Sequence, residues 1–274
     1  MNVFITGAAG GLGRTLANEC ARRGYDLFLT DINADGLNHI KEGLTRRFGV
    51  NVAVHACDMT SEQGVNEMMA MIDARNMRFD MLLNVAGIDF EGGFLTRGRE
   101  TIVKIVALNN AATLRVTHAV LSRRREAARF TVLFVSSLAS MFPMPLKATY
   151  AASKRFLYDF ALALREELKP ENVSVMVLCP GGLATTNEAM SGIAAQGFWG
   201  SATTNKLEAI ARKVVDRALK GKAVYIPGII NNALVFLGRI VPRSLVTAIV
   251  FSRFSGAQKK WLDTGDGEAE IKHA

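Results

Sequence analysis

One recurrence constrains this chain more than any other feature: short apolar runs, most of them followed by stretches with helical periodicity. The runs are Val3–Thr6, Leu27–Thr30, Val52–Ala56, Met81–Asn84, Val132–Ser136, Val173–Leu178 and Ala223–Ile226. They are short, as strands are, and they lack the apolar/polar alternation of a strand with one wet face. Strands buried on both sides belong in a parallel sheet, whose crossover connections lay helices over each face. The pattern therefore predicts an α/β fold: a single doubly wound parallel sheet with helices on both faces. With 274 residues and 49% apolar content, core size is no obstacle and intrinsic disorder is excluded. Cys20, Cys57 and Cys179 are too scattered for a disulfide framework, and the four histidines lie too far apart to predict a metal site. The opening MNVFITGAAG reads straight into a strand and a glycine turn, without the basic and apolar parts of a leader. A cytoplasmic protein with reduced thiols is expected.

The net charge of +8 is concentrated in one segment. Between Arg217 and Leu262 there are eight Lys or Arg and no Asp or Glu, while the rest of the chain holds 25 of each sign. A nucleic-acid partner is therefore not expected. Residues 1–228 read as the catalytic domain, including a lid over 185–204 that is rich in small residues. Residues 229–274 read as an apolar, basic extension of it. Arg239, Pro242 and Arg243 break the apolar stretches of 229–262, so the segment fails the test of about 20 uninterrupted apolar residues for a membrane span. Its stripe, from Ile229 through Phe236 and Leu237 to Phe251, either packs over the pocket or a subunit interface, or rests on an anionic membrane surface as a peripheral contact. The sequence leaves both open.

The first run leads directly into Thr6-Gly7-Ala8-Ala9-Gly10-Gly11-Leu12-Gly13, followed by a helical pattern from Arg14 to Arg23. Gly7, Gly11 and Gly13 let the backbone turn tightly and approach a pyrophosphate. The helix start beside Leu12 presents unpaired N–H groups to it. Asp31 directly follows the second run, 18 residues after Gly13. A carboxylate there accepts from both adenosine ribose hydroxyls and repels a 2′-phosphate. The places where a cation would greet that phosphate hold Gly10, Ile32 and Asn33. NAD(H) is the predicted cofactor, the alternative being that Asp31 only caps a turn.

The spacing Thr-Gly-x3-Gly-x-Gly resembles that of the short-chain dehydrogenase/reductase family, and further motifs follow in the family's order. Cys57-Asp58-Met59-Thr60 closes the third run, where the resemblance implies that Asp58 and Met59 contact the adenine ring. Asn84-Val85-Ala86-Gly87 closes the fourth and is similar to the family's Asn-Asn-Ala-Gly, with Val85 in place of the second Asn. Asn84, Ala86 and Gly87 are thereby assigned to the cofactor. Asn109, Ser137, Tyr150 and Lys154 fall where the family carries its catalytic tetrad. Pro180-Gly181-x3-Thr185, with Leu183 between, falls where the family contacts the nicotinamide carboxamide. The resemblance covers residues 1 to about 228 and implies a Rossmann-like oxidoreductase acting on CH–OH groups.

Tyr150 and Lys154 are four apart and stack on one helix face. Bringing a tyrosine from a pKa of about 10 to near 7 takes about 4 kcal/mol of preference for the phenolate. The Lys154 ammonium and the positive ring of the oxidised cofactor are expected to supply it, making Tyr150 the acid of reduction and the base of oxidation. Both Tyr150 and Lys154 are also assigned to the cofactor, Lys154 through the nicotinamide ribose. Ser137 would polarise the substrate oxygen, with Ser136 its rival, and Asn109 would complete a proton path to Lys154, with Asn110 its rival. Ser140 replaces the Gly of the family's Ser-Ser-x-x-Gly and is expected to touch no catalytic group. On the substrate side, Met141, Phe142, Met190, Phe198 and Trp199 are large apolar groups on loops, and no basic cluster accompanies them in the lid. A bulky apolar alcohol or ketone is expected, a steroid first, with a 3-ketoacyl or general carbonyl reductase as the alternative. A non-enzymatic NAD-sensing scaffold stays a further alternative, although that class usually lacks the Tyr or the Lys and both are present here. Long helices are expected near Arg99–Ser122 and Tyr150–Leu168, the second with more apolar faces (Phe156, Leu157, Phe160, Leu164) than one sheet can cover. The resemblance implies that they pair between subunits, so a homodimer or homotetramer is expected.

Overall fold

The computed structural model describes residues 1–90, 92–126, 128–183, 190 and 202–263, with the backbone alone at 239, 253, 254 and 256–263. Strands β1 (Asn2–Thr6), β2 (Asp26–Asp31), β3 (Val52–Ala56), β4 (Met81–Asn84), β5 (Phe130–Val135), β6 (Val173–Leu178) and β7 (Val224–Tyr225) form one sheet. Their order is β3-β2-β1-β4-β5-β6-β7, and every neighbouring pair is parallel. Each strand lies on one of the apolar runs; the differences are at the ends. β5 starts at Phe130, which pairs with Val173. β7 is short because it pairs only with β6, at two positions.

Alternation along the strands divides the core in two. Val3, Ile5, Leu27, Leu29, Leu133 and Val135 face α1 (Gly11–Arg22), α2 (Ala34–Phe48) and, further along the chain, the helix Leu207–Leu219. Phe4, Phe28, Leu82, Val132 and Phe134 face α3 (Glu62–Ala74), α5 (Thr113–Leu121) and α6 (Ala148–Glu167). On that second side Phe4 packs with Phe28 and Phe79 at ring distances of 4.9 and 5.3 Å.

The expected helix at Arg99–Ser122 is interrupted. It runs as α4 (Arg99–Val106), a π-helical stretch Ala107–Ala112, and α5. Consecutive residues of a regular helix diverge by about 100°, and a π bulge re-aims them. Here Asn109 and Asn110 are both buried, and each finds a partner inside. After β6 come α7 (Leu207–Leu219), α8 (Ile229–Ile240) and α9 (Arg243–Asp263). Strand order reverses between β1 and β4, which opens a crevice at the carboxyl ends of the strands, where open sheets of this kind bind ligands.

Candidate active site

At that crevice the glycine turn and the turn after β4 are pressed together. Gly7 has φ +63°, and a Cβ there would lie 2.7 Å from the Ala86 backbone. Both geometry and space thus demand glycine. Thr6 Oγ1 accepts from Val85 N and Ala86 N at 3.0 and 3.1 Å, which holds the two turns in register. α1 begins at Gly11 with Leu12 and Gly13 buried, and no side chain caps it, so its first N–H groups face the crevice. Asp31 Oδ2 accepts from Ala9 N and Oδ1 from Asn33 N, each at 3.0 Å. The carboxylate does cap a turn, as the plainer reading held, and each oxygen keeps a further lone pair. The turn, the open helix end and Asp31 fit a nicotinamide dinucleotide.

The catalytic candidates converge beside this cleft. Ser137 ends the extended segment after β5 and takes the Ala139 N–H on its Oγ at 3.1 Å. Its hydroxyl acts on the Tyr150 phenol and favours the ionised form, so the two hydroxyls are neighbours. The rival Ser136 is buried, with its hydroxyl donating to the Lys154 carbonyl at 2.7 Å. Lys154 is buried too: Nζ donates to Val135 O at 3.0 Å and lies 5.8 Å from the Tyr150 ring centroid. A Cβ at Gly87 would lie 3.0 Å from both Lys154 Nζ and Asn109 Oδ1, so glycine is what lets these groups meet there. Asn109 Oδ1 accepts from Ile88 N at 2.9 Å, while Nδ2 donates to Ile88 O and Ser153 Oγ at 3.0 Å. Asn110 instead donates to Ser153 O. Of the two, Asn109 is the one beside Lys154, and its amide holds the Ile88 loop.

Burial and packing add to this picture. Burial, with Asp89 acting in the same direction, pushes the Tyr150 phenol up to about 12, against Ser137 and Lys147. Burial also lowers Lys154 to about 8, with Asp89 opposing. Ser140 does touch the catalytic loop: its hydroxyl donates to the Ser137 carbonyl at 2.6 Å. Asn84 is buried, and its amide donates to Thr117 Oγ1 at 2.9 Å, so this side chain ties β4 to α5.

The remaining candidates separate. Asp58 is exposed and held below the usual carboxylate range, first by the Thr60 hydroxyl and then by the Thr60 N–H; Met59 is buried beside it. Pro180 is buried, Leu183 bridges to Asn205, and Gly181 lies tight against the Thr203 carbonyl and the Asn231 amide. Met141 and Phe142 are half-buried near the crevice, and Met190 is exposed. Thr185, Phe198, Trp199 and most of the expected lid lie outside the described residues. Sequence reading missed a charged pair at the mouth. Lys147 Nζ meets Asp89 at 2.6 Å and lies 5.7 Å from the Tyr150 ring, and a cavity of about 100 Å³ there is lined by Lys147, Arg97, Phe90 and Tyr150. Asp89 and Lys147 stand far apart in sequence, so only the fold joins them.

A family profile described as short chain dehydrogenase matches residues 1–194. The chain belongs to the short-chain dehydrogenase/reductase family, whose members are oxidoreductases acting on CH–OH groups. Among curated relatives, a very-long-chain 3-oxoacyl-CoA reductase of Bos taurus is 30% identical over 185 residues, 66% of this chain and 59% of that protein. One from Pyrenophora tritici-repentis is 32% identical over 178 residues, 63% of this chain and 52% of that protein. The chain thus spans little more than half the length of these relatives. Among solved structures, L-sorbose reductase from Gluconobacter frateurii, complexed with NADPH and L-sorbose, superposes with a TM-score of 0.74 at 20% identity, covering 83% of this chain and 94% of that one. A bulky-bulky ketone specific alcohol dehydrogenase from Comamonas testosteroni gives 0.72 at 21%, covering 88% and 95%. At these identities the likeness is one of fold.

Proposed function

We propose that this chain reduces the ketone of a 3-oxoacyl thioester with a long apolar chain, using NADH. The observation that carries the chemistry is the Ser137–Tyr150–Lys154 arrangement. The cofactor supplies the hydride. Ser137 and Tyr150 hold the ketone oxygen between their hydroxyls, and Tyr150 gives it the proton. A phenol pushed up to about 12 is fully loaded with that proton at neutral pH, which suits reduction. The tyrosinate left behind is stabilised by the Lys154 ammonium, which at about 8 stands ready to return a proton. Asn109 keeps the Ile88 loop and Gly87 in place beneath it.

The acyl class, offered as the alternative on sequence, is favoured over a steroid by the names of the curated relatives. It also agrees with half-buried Met141 and Phe142 beside the crevice. The NADH preference rests on Asp31. We further propose a homodimer or homotetramer built on the outer faces of α4 and α6, where Val103, Val106 and Phe156 are exposed. Spectrophotometric turnover tests the function. kcat/KM should rise with the chain length of 3-oxoacyl-CoA substrates and exceed that for every ketosteroid, and a better ketosteroid overturns the substrate class. NADH should beat NADPH by about tenfold or more, roughly 1.4 kcal/mol. Asp31→Ala should narrow the gap, and equal use of both cofactors by the unaltered protein sinks that part.

A further inference from the structure

Sixteen large apolar side chains stand exposed among the described residues, and eight of them fall in the short stretch from Ile229 to Phe251. Such crowding marks a surface that meets something else. α8 is, in effect, inside out. Its inward side carries Asn231, 1% exposed, with Val235 and with Gly238, which lies against the Phe142 ring. Its outward side carries Ile229, Phe236, Leu237 and Ile240, exposed by 89, 64, 55 and 67%. α9 continues the surface with Leu245, Ile249 and Phe251, each more than half exposed.

The charge of the same segment says what it meets. From Ile229 to Leu262 there are five basic residues, Arg239, Arg243, Arg253, Lys259 and Lys260, and no acidic one. Arg217, Lys220 and Lys222 lead into it, again without an acid. A second copy docking face to face would set this unbalanced positive charge against itself. An anionic bilayer offers apolar depth and negative headgroups together. Among the described residues no helix is long and apolar enough to cross a membrane, so the contact is made along the surface.

We propose that α8 and α9 dock the protein on an anionic lipid surface, with the exposed faces of Phe236, Leu237, Ile240 and Ile249 in the interface and Arg243 among the headgroups, the segment's net positive charge adding to the attraction. Since α8 packs beside the loop that carries Ser137, the docked surface adjoins the catalytic crevice. The proposal does not rest on the substrate assigned above, because its test reads binding and not turnover.

The test is flotation of the full chain with extruded vesicles of phosphatidylcholine alone, or of phosphatidylcholine with about 30 mol% phosphatidylserine. The chain should float with the anionic vesicles, with roughly tenfold less bound to the neutral ones or to anionic vesicles in high salt. Phe236→Glu combined with Ile240→Glu should cut binding by a further factor of roughly ten or more. Both side chains are exposed, so the thermal melt should not move, and circular dichroism checks this. Arg243→Glu, which leaves the apolar face intact, should weaken binding roughly fivefold or more by charge alone. The proposal is overturned if the unaltered chain stays unbound with both vesicle types, or if the Glu variants float as well as it does. Light scattering showing an oligomer that the Phe236/Ile240 variant dissolves, with no vesicle binding, would assign the face to a second copy instead.

Discussion

Helices α6 and α8 flank the same crevice and read the amphipathic rule in opposite directions. α6 buries Ala151, Leu157 and Ala161, together with Lys154, so the chemistry proposed for Tyr150 and Lys154 sits on a helix anchored by apolar packing. α8 turns isoleucine and phenylalanine outward and is held largely by amides. Asn231 Nδ2 donates to Pro227 O at 2.7 Å and Thr203 O at 3.2 Å, and Asn232 Nδ2 to Ile226 O and Gly228 O at 2.8 and 2.7 Å. α6 is thus fixed by burial of its apolar side, whereas α8, with its apolar side exposed, is fixed by hydrogen bonds on its polar side.

Four measurements break or sharpen this contrast. The largest effect is expected on α6. Tyr150→Phe should lower kcat by a factor of about 10²–10⁴ while NADH binding and the thermal melt stay close to the original, because only the proton donor is gone. Phe236→Ser on α8 should leave soluble turnover unchanged. Comparable losses in the two variants would erase the distinction.

Stability should divide the same way. Leu157→Ala removes a side chain that is 2% exposed and should cost about 2–4 kcal/mol in urea unfolding. Leu237→Ser on α8 should stay within about 0.5 kcal/mol of the original. Equal costs would mean that α8 is packed as a core helix after all.

Lys154 gives a pH signature. Its folded pKa of about 8 lies below the unfolded value, so from about pH 8 up to the ordinary lysine range the unfolded chain binds more protons and stability rises with pH. Below about 8 both states are protonated and the full penalty is present. Lys154→Met should therefore gain up to roughly 3 kcal/mol at pH 7 while losing activity, and the gain should fade by about pH 11. Tyr150 works the other way, keeping its proton up to about 12 and costing stability as pH rises beyond the ordinary tyrosine value. A gain from Lys154→Met that ignores pH would show that the buried ammonium is not the cause.

The smallest effect is at the amide clasp. Asn231→Ala should cost about 1–2 kcal/mol and loosen the contact between α8 and Gly181. No change in the urea midpoint would leave α8 without its anchor and weaken the contrast.

The strands could be read from the sequence because each is an uninterrupted apolar run, and both faces of each are buried whatever the neighbours are. The glycine turn, Asp31, Tyr150 and Lys154 could be read for a similar reason: each role depends on local spacing along one turn or one helix. Asn84 could not be placed, since the motif records its residue type but not that its amide faces Thr117. Chemistry alone could not choose between Ser136 and Ser137, since both are serines; alternation and spacing favour Ser137, and the structure turns the Ser136 hydroxyl to the Lys154 carbonyl. Nor could the upward push on Tyr150 be read, because burial and Asp89, which outweigh Ser137 and Lys147, are not visible in the spacing.

The α/β class, the parallel sheet, the dinucleotide turn and the Tyr–Lys pair were determined by the sequence alone, because periodicity and short-range spacing survive in one dimension. The meeting of Asp89 with Lys147, the convergence of Lys154 and Asn109 over Gly87, and the outward turn of α8 were decided only by the tertiary structure. These depend on which distant segments share a crevice and which face of a helix is left uncovered. Both are consequences of packing, and neither leaves a periodic trace in the chain.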